Sequence, residues 1–503
     1  MNLFEAFKRN REERPDEPAF LIASGDRAVP ISWRQFTDDI EIISWLIDRE
    51  APRGVIGVIG ENSYEWMAVH AASIFSGATV VPVDVNLTAD EISERLKFVG
   101  ASVLVHSSLY AEKARAAARK TPGLATGGFG TRKTDFVLAA GRAAVKAGFK
   151  GIWERGLQAK SGQTSMIVFT SGTTSEPRGA ELTIAGLEAF ADSAEISLPM
   201  RPGDRSLMVL PLHHIFGIGV AYLMLSRGVA LGVCPDFRRL FDAVERFRAR
   251  FLFLVPALAD ILAAKIEQRG RSAEEALGSP LDWILIGGAP LSRRTHERLT
   301  ALGVKMISGY GLTETTALYS MDPFEGESRI GSAGRRSLLP SCETKVSPSG
   351  ELLTRSPGVM KGYYRMPAKT AEVLDADGWF HTGDIGRIDE DGHVWITGRA
   401  SRTIVLSSGK KIAPEELEAK ILMIPGIDEV VVSGDGETRA IVAEVYGAAS
   451  ERAIRSAIGS LNLMLPVYKR VSDIVIRTEP FPRTSSGKIS YAKPAARKGK
   501  TAQ

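Results

Sequence analysis

The chain has 503 residues, of which 44% are hydrophobic and 24% charged, and its formal net charge is +4. More than one domain is expected at this length, and the weak basic excess argues against a nucleic-acid partner. The cysteines Cys234 and Cys342 do not make a disulfide framework, and no Cys/His spacing suggests a zinc site.

The N-terminal segment has no apolar core of signal-peptide length. The nearest candidate for a membrane span, residues 252–264, is short and contains Asp260. We therefore expect no integral membrane segment and a cytoplasmic enzyme.

Strands and helices alternate in the first hundred residues. Thr88 followed by Glu91 is a capping-box pattern at a helix start. The predicted helices are 31–50, 63–75 and 88–98, and the predicted strands are 55–59, 78–83 and 102–106. Short apolar strands separated by helices indicate a parallel sheet covered on both faces.

A glycine cluster follows, at Gly127, Gly128 and Gly130. No strand and no GxGxxG pattern surround these glycines, so we interpret them as a flexible connection and not as a phosphate loop.

The stretch 166–181 reads MIVFTSGTTSEPRGAE. Its apolar start predicts a buried strand, which breaks into a loop rich in Gly, Ser and Thr. Such a loop presents backbone N–H groups and hydroxyls to an anion, for which a nucleotide triphosphate is the best candidate. No G-K-[ST] sequence follows Gly172 at the required spacing, which excludes a P-loop NTPase.

Later strands end in turns that carry possible ligands. The predicted strand 207–212 is followed by His213 and His214, 283–286 runs into Gly287–Pro290, and 304–307 runs into Ser308–Gly311. In open α/β sheets ligands collect at the carboxyl ends of strands, so these turns predict one shared site. A further strand is predicted at 251–255, and helices at 182–195 and 218–225.

After Ser332 the residue pattern changes to short apolar runs separated by turns, which predicts a β-rich part. The predicted fold class is α/β, with a large N-terminal domain of packed, mostly parallel sheets plus a β-rich subdomain, residues 1–398. A small mobile α+β C-terminal domain, residues 399–503, is predicted to follow, with helices at 414–422 and 451–461.

Six motifs resemble, in the same order, those of the adenylate-forming (AMP-binding) superfamily. They are TSGTTSEPRG at 170–179, GGAP at 287–290, YGLTE at 310–314, WFHTGD at 379–384 with GR at 398–399, SSGKKIAPEE at 407–416, and PRTSSGK at 482–488. Chance matches in one order are improbable. The amino-acid sequences of residues 358–392 and 404–418 most resemble those of long-chain fatty acyl-CoA synthetases.

The resemblance implies a role for each matching residue. Lys488, Thr313 and Glu314 would be catalytic, with Glu314 and Thr170 holding Mg²⁺. His214 and Gly309 would line the acyl channel. Residues expected to bind ATP or CoA are Thr170, Ser171, Gly172, Thr173, Thr174, Arg178, Gly288, Ala289, Tyr310, Gly311, Asp384, Arg399 and Gly409.

The resemblance also implies the reaction. A medium- or long-chain fatty acid would react with ATP to form acyl-AMP, and the acyl group would then pass to CoA. The phosphopantetheine of an acyl carrier protein is the alternative acceptor. A degenerate nucleotide-binding protein without turnover and an amino-acid adenylation domain are the rival functions; the apolar run 215–218 after His214 disfavours the latter.

The chain departs from the family pattern at Ser175, where Gly is usual, and at Arg178, where Lys is usual. Arg402 stands at the hinge position in place of Asp or Lys, which puts the efficiency of the second half-reaction in doubt.

Overall fold

A computed structural model of the protein describes residues 2–25, 27–129, 152–160, 162–170, 177–326, 328–337, 339–406, 410–434, 440–482 and 489. Within these ranges the α-helices are Leu3–Glu13, Trp33–Glu50, Tyr64–Phe75, Ala89–Val99, Ala111–Arg119, Ile152–Arg155, Ile184–Ser197, Ile215–Ser226, Leu240–Phe247, Pro256–Arg269, Ala273–Leu277, Arg293–Ala301, Pro367–Ala371, Pro414–Ile421 and Glu451–Met464.

The first sheet has six strands and is mostly parallel. All neighbours pair in parallel except the last two strands, which form an antiparallel hairpin. Parallel neighbours need crossover connections, which helices supply along this part of the chain. In spatial order the strands are Ala125–Phe129, Val103–Ser107, Val55–Ile59, Thr79–Pro82, Met166–Thr170 and Arg178–Leu182.

Two further sheets complete the α/β part. One has the spatial order Arg27–Ser32, Pro18–Ser24, Ala230–Val233 and Arg205–Met208. The other runs Phe251–Leu254, Trp283–Ile286, Lys305–Tyr310 and Ser320–Met321, with only the last pair antiparallel. Their apolar strands are almost wholly buried, as expected of parallel strands covered by helices.

The β-rich part is an antiparallel sheet of Glu343–Val346, Glu351–Arg355, Phe380–Ile388 and Val394–Arg399. The C-terminal part contains a two-stranded pair, Ile404–Val405 with Lys411–Ile412. Its larger sheet is formed by Glu429–Gly434, Ile441–Tyr446 and Asp473–Ile476.

Separate apolar cores underlie these parts. The largest core includes Trp33, Trp66 and Tyr222, each almost fully buried, and burying a large side chain contributes roughly 1.5–3 kcal/mol. In the third sheet the rings of Phe251 and Trp283 stack with their centroids 4.4 Å apart. The C-terminal core contains only residues between 404 and 471.

The predicted α/β fold class is confirmed, and the helix start at Thr88 makes both hydrogen bonds of a capping box. The expectation of a flexible connection at Gly127 and Gly128 is wrong, because both residues lie in the edge strand Ala125–Phe129. Pairing with the neighbouring strand Val103–Ser107 compensates for the weak strand preference of glycine. Gly130 lies outside the described residues.

The predicted helix 182–195 starts later, at Ile184, because Thr183 caps it and the preceding residues form a strand. The predicted strand 207–212 ends at Met208. The initial helix Leu3–Glu13 and the hairpin Pro18–Ser24 with Arg27–Ser32 were not predicted.

Candidate active site

Asp384 contacts the side chains of Tyr310 and Arg399, neither of which is its neighbour in the sequence. The hydroxyl of Tyr310 donates a hydrogen bond to its Oδ2 atom, and Nε of Arg399 lies 2.6 Å from its Oδ1 atom. Asp384 and Arg399 face each other in the antiparallel strand pair. The side chain of Asp384 is 4% exposed and that of Arg399 46% exposed, so the carboxylate lies at the base and the guanidinium reaches solvent.

The surrounding structure keeps the Tyr310 hydroxyl protonated. Burial, and then the negative charge of Asp384, raise the pKa of Tyr310 well above its ordinary value, so the phenol remains a donor. The Asp384 backbone N–H donates to Thr382 Oγ1 (3.0 Å), and Gly383 has a φ of +71°, which a residue without Cβ adopts freely. A carboxylate oxygen can accept more than one hydrogen bond.

Tyr310 continues into a compact loop that carries Thr313 and Glu314. A Cβ on Gly311 would lie 2.2 Å from the carbonyl carbon of Ala317, so the backbones approach too closely for any other residue. Thr316 and Ala317 have φ values of +51° and +60°, which are unusual for residues with a side chain. The loop therefore holds Thr313 and Glu314 in a fixed 3₁₀ turn, Thr313–Thr315.

Glu314 is oriented by Tyr363, a residue that the sequence analysis missed. The Tyr363 hydroxyl donates to Glu314 Oε1 at 2.8 Å. Burial, and then the charge of Glu314, raise the pKa of Tyr363, so this donor is retained across the physiological range. The guanidinium of Arg178 lies 5.5 Å from the centre of the Tyr363 ring. No periodicity or spacing links these three residues, which explains why the sequence did not reveal the contact.

Thr170 and Arg178 stand opposite each other at the open end of the hairpin Met166–Thr170 with Arg178–Leu182. The hydroxyl of Thr170 donates to the carbonyl of Arg178 at 3.4 Å. Through Tyr363, this end of the hairpin is connected to Glu314. The intervening loop residues Ser171, Gly172, Thr173 and Thr174 lie outside the described residues.

Gly288 and Ala289 follow the strand Trp283–Ile286, and Gly309 lies near the end of the adjacent parallel strand Lys305–Tyr310. Gly288 and Ala289 are exposed, and Gly288 has a φ of +81°. A Cβ on Gly309 would lie 3.3 Å from Leu285 Cδ2, so a larger residue here would crowd the Leu285 side chain.

His214 immediately precedes the helix Ile215–Ser226, and its backbone N–H donates to the carbonyl of Pro211 at 3.1 Å. The ring of Phe216, on the first turn of that helix, fills the space beside Gly287, where a Cβ would lie 2.9 Å from Phe216 Cζ. The helix start therefore lies against the strand end that carries Gly287.

Asn62 positions the segment before His214, and the sequence analysis missed this residue too. Its Nδ2 atom donates to the carbonyls of Met208 (3.2 Å) and Leu210 (2.9 Å). Its Oδ1 atom accepts from the N–H of Leu212 at 3.1 Å. One buried amide thus replaces the strand pairing that the segment lacks.

The described residues fit a nucleotide with its metal. Glu314 and Thr170 offer the hard oxygen ligands that Mg²⁺ prefers. Arg178 and Arg399 supply positive charge, and the exposed backbone at Gly288 and Ala289 leaves room beside the strand ends. Gly409 and Lys488, for which the sequence predicts contacts with CoA and with the reacting phosphate, lie outside the described residues.

Arg402 is held by the C-terminal part. Its guanidinium lies 2.8 Å from Glu415 Oε1 and 2.6 Å from Glu418 Oε1, and its side chain is 15% exposed. It also donates to the carbonyl of Val432 at 3.3 Å. The residue at the predicted hinge position is therefore anchored to the C-terminal core.

Two family models match the chain. The AMP-binding enzyme model matches residues 7–364, and the AMP-binding enzyme C-terminal domain model matches residues 401–497. Across the residues that the structure describes, no helix combines the length and apolar character needed to cross a membrane.

Curated relatives are CoA ligases and synthases. A feruloyl-CoA synthase from Amycolatopsis sp is 31% identical over 87% of both chains. A long-chain-fatty-acid–CoA ligase, FadD13, from Mycobacterium tuberculosis is 27% identical over 86% of both. A 4-coumarate–CoA ligase from Oryza sativa subsp. japonica is 28% identical over 86% of this chain and 81% of its own length.

Solved structures share the fold. MatB from Rhodopseudomonas palustris, with bound ATP, superposes with a TM-score of 0.82 at 24% identity over 97% of both chains. A fatty acyl CoA synthetase from Mycobacterium tuberculosis gives a TM-score of 0.73 at 24% identity over 98% of both. The predicted superfamily, and with it the requirement for ATP, Mg²⁺ and CoA, is confirmed. The chain belongs to the AMP-binding enzyme family and is an AMP-forming acid–thiol ligase.

Proposed function

We propose that Tyr310, Asp384 and Arg399 hold the nucleoside of ATP. The tyrosine ring offers a face for the adenine, and the Asp384 carboxylate can accept hydrogen bonds from both ribose hydroxyls. Arg399 lies against Asp384 and reaches solvent on the side where ribose or phosphate oxygens would lie. Gly288 and Ala289 leave the backbone exposed beside the base, and Gly311 follows Tyr310 directly.

The phosphates would lie between the loop after Thr170 and the turn that carries Thr313 and Glu314. Thr170, Ser171, Gly172, Thr173, Thr174 and Arg178 would bind the phosphate oxygens. Mg²⁺, held by Glu314 and Thr170, would neutralise phosphate charge. Tyr363 fixes one oxygen of Glu314 and leaves the other for a ligand.

The acid would enter beside His214 and Gly309. Its carboxylate oxygen attacks the α-phosphorus, the bond to the pyrophosphate oxygen breaks, and acyl-AMP forms. Lys488 would stabilise the charge that accumulates during this attack. A thiolate then attacks the acyl carbon, and AMP leaves.

The substrate class is an apolar carboxylic acid, and a medium- or long-chain fatty acid is the first candidate. The apolar helix Ile215–Ser226 and the ring of Phe216 favour an uncharged tail. A second candidate is an aromatic acid of the hydroxycinnamate type, which the 31% identity to a feruloyl-CoA synthase favours.

The domain division is part of the same proposal, with residues 1–398 forming the AMP-binding domain and 399–503 a mobile domain that carries Lys488. Rotation about residues 399–403 would withdraw Lys488 and bring Gly409 to the path of the thiol. CoA is the proposed acceptor, because the relatives described above are CoA ligases and synthases. The proposed location is the cytoplasm.

The contacts of Asp384 with Tyr310 and Arg399 carry this proposal, because Tyr310 lies four residues before Glu314 in the same loop. It is tested by incubating the protein with ATP, Mg²⁺, CoA and each of the two acid types, and separating the products. Acyl-CoA and AMP in equal amounts from a fatty acid support the first candidate. The same products from a hydroxycinnamate alone would support the second, and no acyl-adenylate or acyl-CoA from either would overturn both.

A further inference from the structure

Asp84, His213 and His214 form a cluster whose possible ligand atoms all lie within 4.8 Å of one another. The cluster contains two imidazoles and one carboxylate. It has no residue in common with Glu314 and Thr170, to which the preceding proposal assigns Mg²⁺.

The imidazole of His213 points into this cluster. Its side chain is 8% exposed, and its Nε2 atom lies 3.4 Å from Asp84 Oδ1 without making a hydrogen bond. A buried nitrogen without a hydrogen bond is unfavourable and calls for an explanation. Two ligands of a tetrahedral ion with bonds of about 2.0 Å are about 3.3 Å apart, so the observed separation suits a shared ion.

The surrounding contacts hold the cluster in place. Asp84 Oδ1 accepts from the backbone N–H of Asn86 at 2.9 Å and from its side-chain amide at 3.0 Å. The segment before His213 is fixed by the three hydrogen bonds of Asn62. The rings of His213 and His214 have centroids 4.4 Å apart and are inclined by 50°. Such outer contacts orient ligands before an ion arrives.

We propose that Asp84, His213 and His214 bind one transition-metal dication of the Zn²⁺ type. Two imidazole nitrogens and one carboxylate oxygen are typical ligands for Zn²⁺ and Co²⁺, whereas Mg²⁺ prefers oxygen atoms alone. Three protein ligands leave a fourth position for water or a substrate carboxylate.

The bound ion would join two sheets. Asp84 follows the strand Thr79–Pro82 of the six-stranded sheet, and the histidines follow the strand Arg205–Met208 of a neighbouring sheet. If His214 lines the acyl channel as proposed above, the ion would also restrict access of the acid. That consequence rests on the proposed function, whereas metal binding itself does not.

The test uses full-length protein without a histidine tag. Calorimetric titration with Zn²⁺ is expected to show one tight equivalent, and Co²⁺ is expected to develop the intense visible absorption of a tetrahedral site. Asp84→Asn and His213→Gln should each weaken Zn²⁺ binding about ten-fold or more. Excess Mg²⁺ should not displace the ion.

Two matched variants serve as controls. His106→Gln changes a histidine in the six-stranded sheet, whose Nδ1 atom is hydrogen-bonded to the carbonyl of Ser107. Asp90→Asn changes an exposed carboxylate that forms an ion pair with Lys120. Both should bind Zn²⁺ like the unmodified chain. Far-UV circular dichroism checks that each variant is folded; if His213→Gln is not, Asp84→Asn decides the question. Absence of a stoichiometric site, or equal binding by Asp84→Asn and Asp90→Asn, would overturn the proposal.

Discussion

The Oδ1 atom of Asp384 lies 2.6 Å from the Nε atom of Arg399, across an antiparallel strand pair. Arg399 is the first residue of the proposed mobile domain, whereas Asp384 belongs to the sheet before it. The proposed ribose contact and the proposed hinge are therefore adjacent. Nucleotide binding and rotation of the C-terminal domain would be coupled through this ion pair.

Replacing Asp384 by Asn should weaken ATP binding. Each hydrogen bond to a charged group contributes about 1.5–3 kcal/mol, so the dissociation constant should rise about 10- to 100-fold. Equilibrium titration with ATP measures this change.

Asp391→Asn is the control for Asp384→Asn. Asp391 forms an exposed ion pair with Arg329, and exposed pairs contribute only about 0–1 kcal/mol. Unchanged ATP binding in Asp384→Asn would remove this residue from the nucleotide site.

Tyr363→Phe should increase the Mg²⁺ concentration needed for half-maximal activity. The variant loses the 2.8 Å hydrogen bond that orients Glu314, which is worth about 0.5–1.5 kcal/mol. A rise of about 2- to 10-fold is expected when the initial rate is measured against Mg²⁺ at saturating ATP.

Tyr364→Phe provides the comparison for Tyr363→Phe, because the Tyr364 hydroxyl donates to the carbonyl of Val99 at 3.4 Å and not to Glu314. An equal Mg²⁺ requirement in both variants would contradict a positioning role for Tyr363.

Gly311→Ala should destabilise the protein. The new methyl group would lie 2.2 Å from the backbone of Ala317, and overpacking of this kind costs about 1–3 kcal/mol. Urea unfolding measures the loss. Gly127→Ala is the matched control, because a Cβ there comes within 4 Å of none of the residues that the structure describes. If both variants unfold at the same urea concentration, the loop is more adaptable than its geometry indicates.

Arg402→Lys should affect the two half-reactions differently. Lysine keeps the charge but cannot reproduce the planar contacts to Glu415 and Glu418, so the hinge segment should lose its fixed geometry. Pyrophosphate exchange should change little, since the lost contacts are to Glu415 and Glu418 of the C-terminal part and not to the proposed nucleotide site. Thioester formation should slow by more. Equal slowing of both steps would show that Arg402 does not act through the hinge.

Asp322 makes stability depend on pH. Burial raises the pKa of this carboxyl group, despite hydrogen bonds from the Ser308 N–H (3.2 Å) and the Ser328 hydroxyl (2.9 Å) and the proximity of His393. A folded-state pKa above the unfolded value means that the folded protein binds more protons between the two values. The Asp322 contribution to the free energy of unfolding therefore falls as pH rises through that window and is constant above it.

Asp322→Asn should remove this dependence. As pH rises above the unfolded-state pKa of about 4, the free energy of unfolding of the variant should increase relative to that of the unmodified chain. Urea unfolding at several pH values measures it. A difference that does not change with pH would contradict the assignment.

Local signals in the sequence predicted much of the fold. The capping box at Thr88 and the apolar run Trp283–Ile286 depend on neighbouring residues, and both occur as predicted. The strand Arg178–Leu182 was missed because Gly179 and two charged residues interrupt its apolar pattern. Its pairing with Met166–Thr170 compensates for that weak local preference.

The candidate site was predictable only where residues lie within one motif. Tyr310 and Glu314 are close in the chain, and the motif places them in one loop. The contacts of Tyr363 with Glu314 and of Asn62 with Leu212 join distant residues and depend on how the sheets pack. Nothing in the spacing of these residues encodes such contacts. The same reason hid the proximity of Asp84 to His213.

The central claim is that the protein activates an apolar carboxylic acid through acyl-AMP. ATP–pyrophosphate exchange across a panel of fatty, hydroxycinnamic and amino acids tests it most directly, with Lys488→Ala as the inactive control. The account predicts exchange with an apolar acid, lost in the variant. No exchange with any acid, in folded protein that binds ATP, would contradict it and leave a nucleotide-binding protein without turnover.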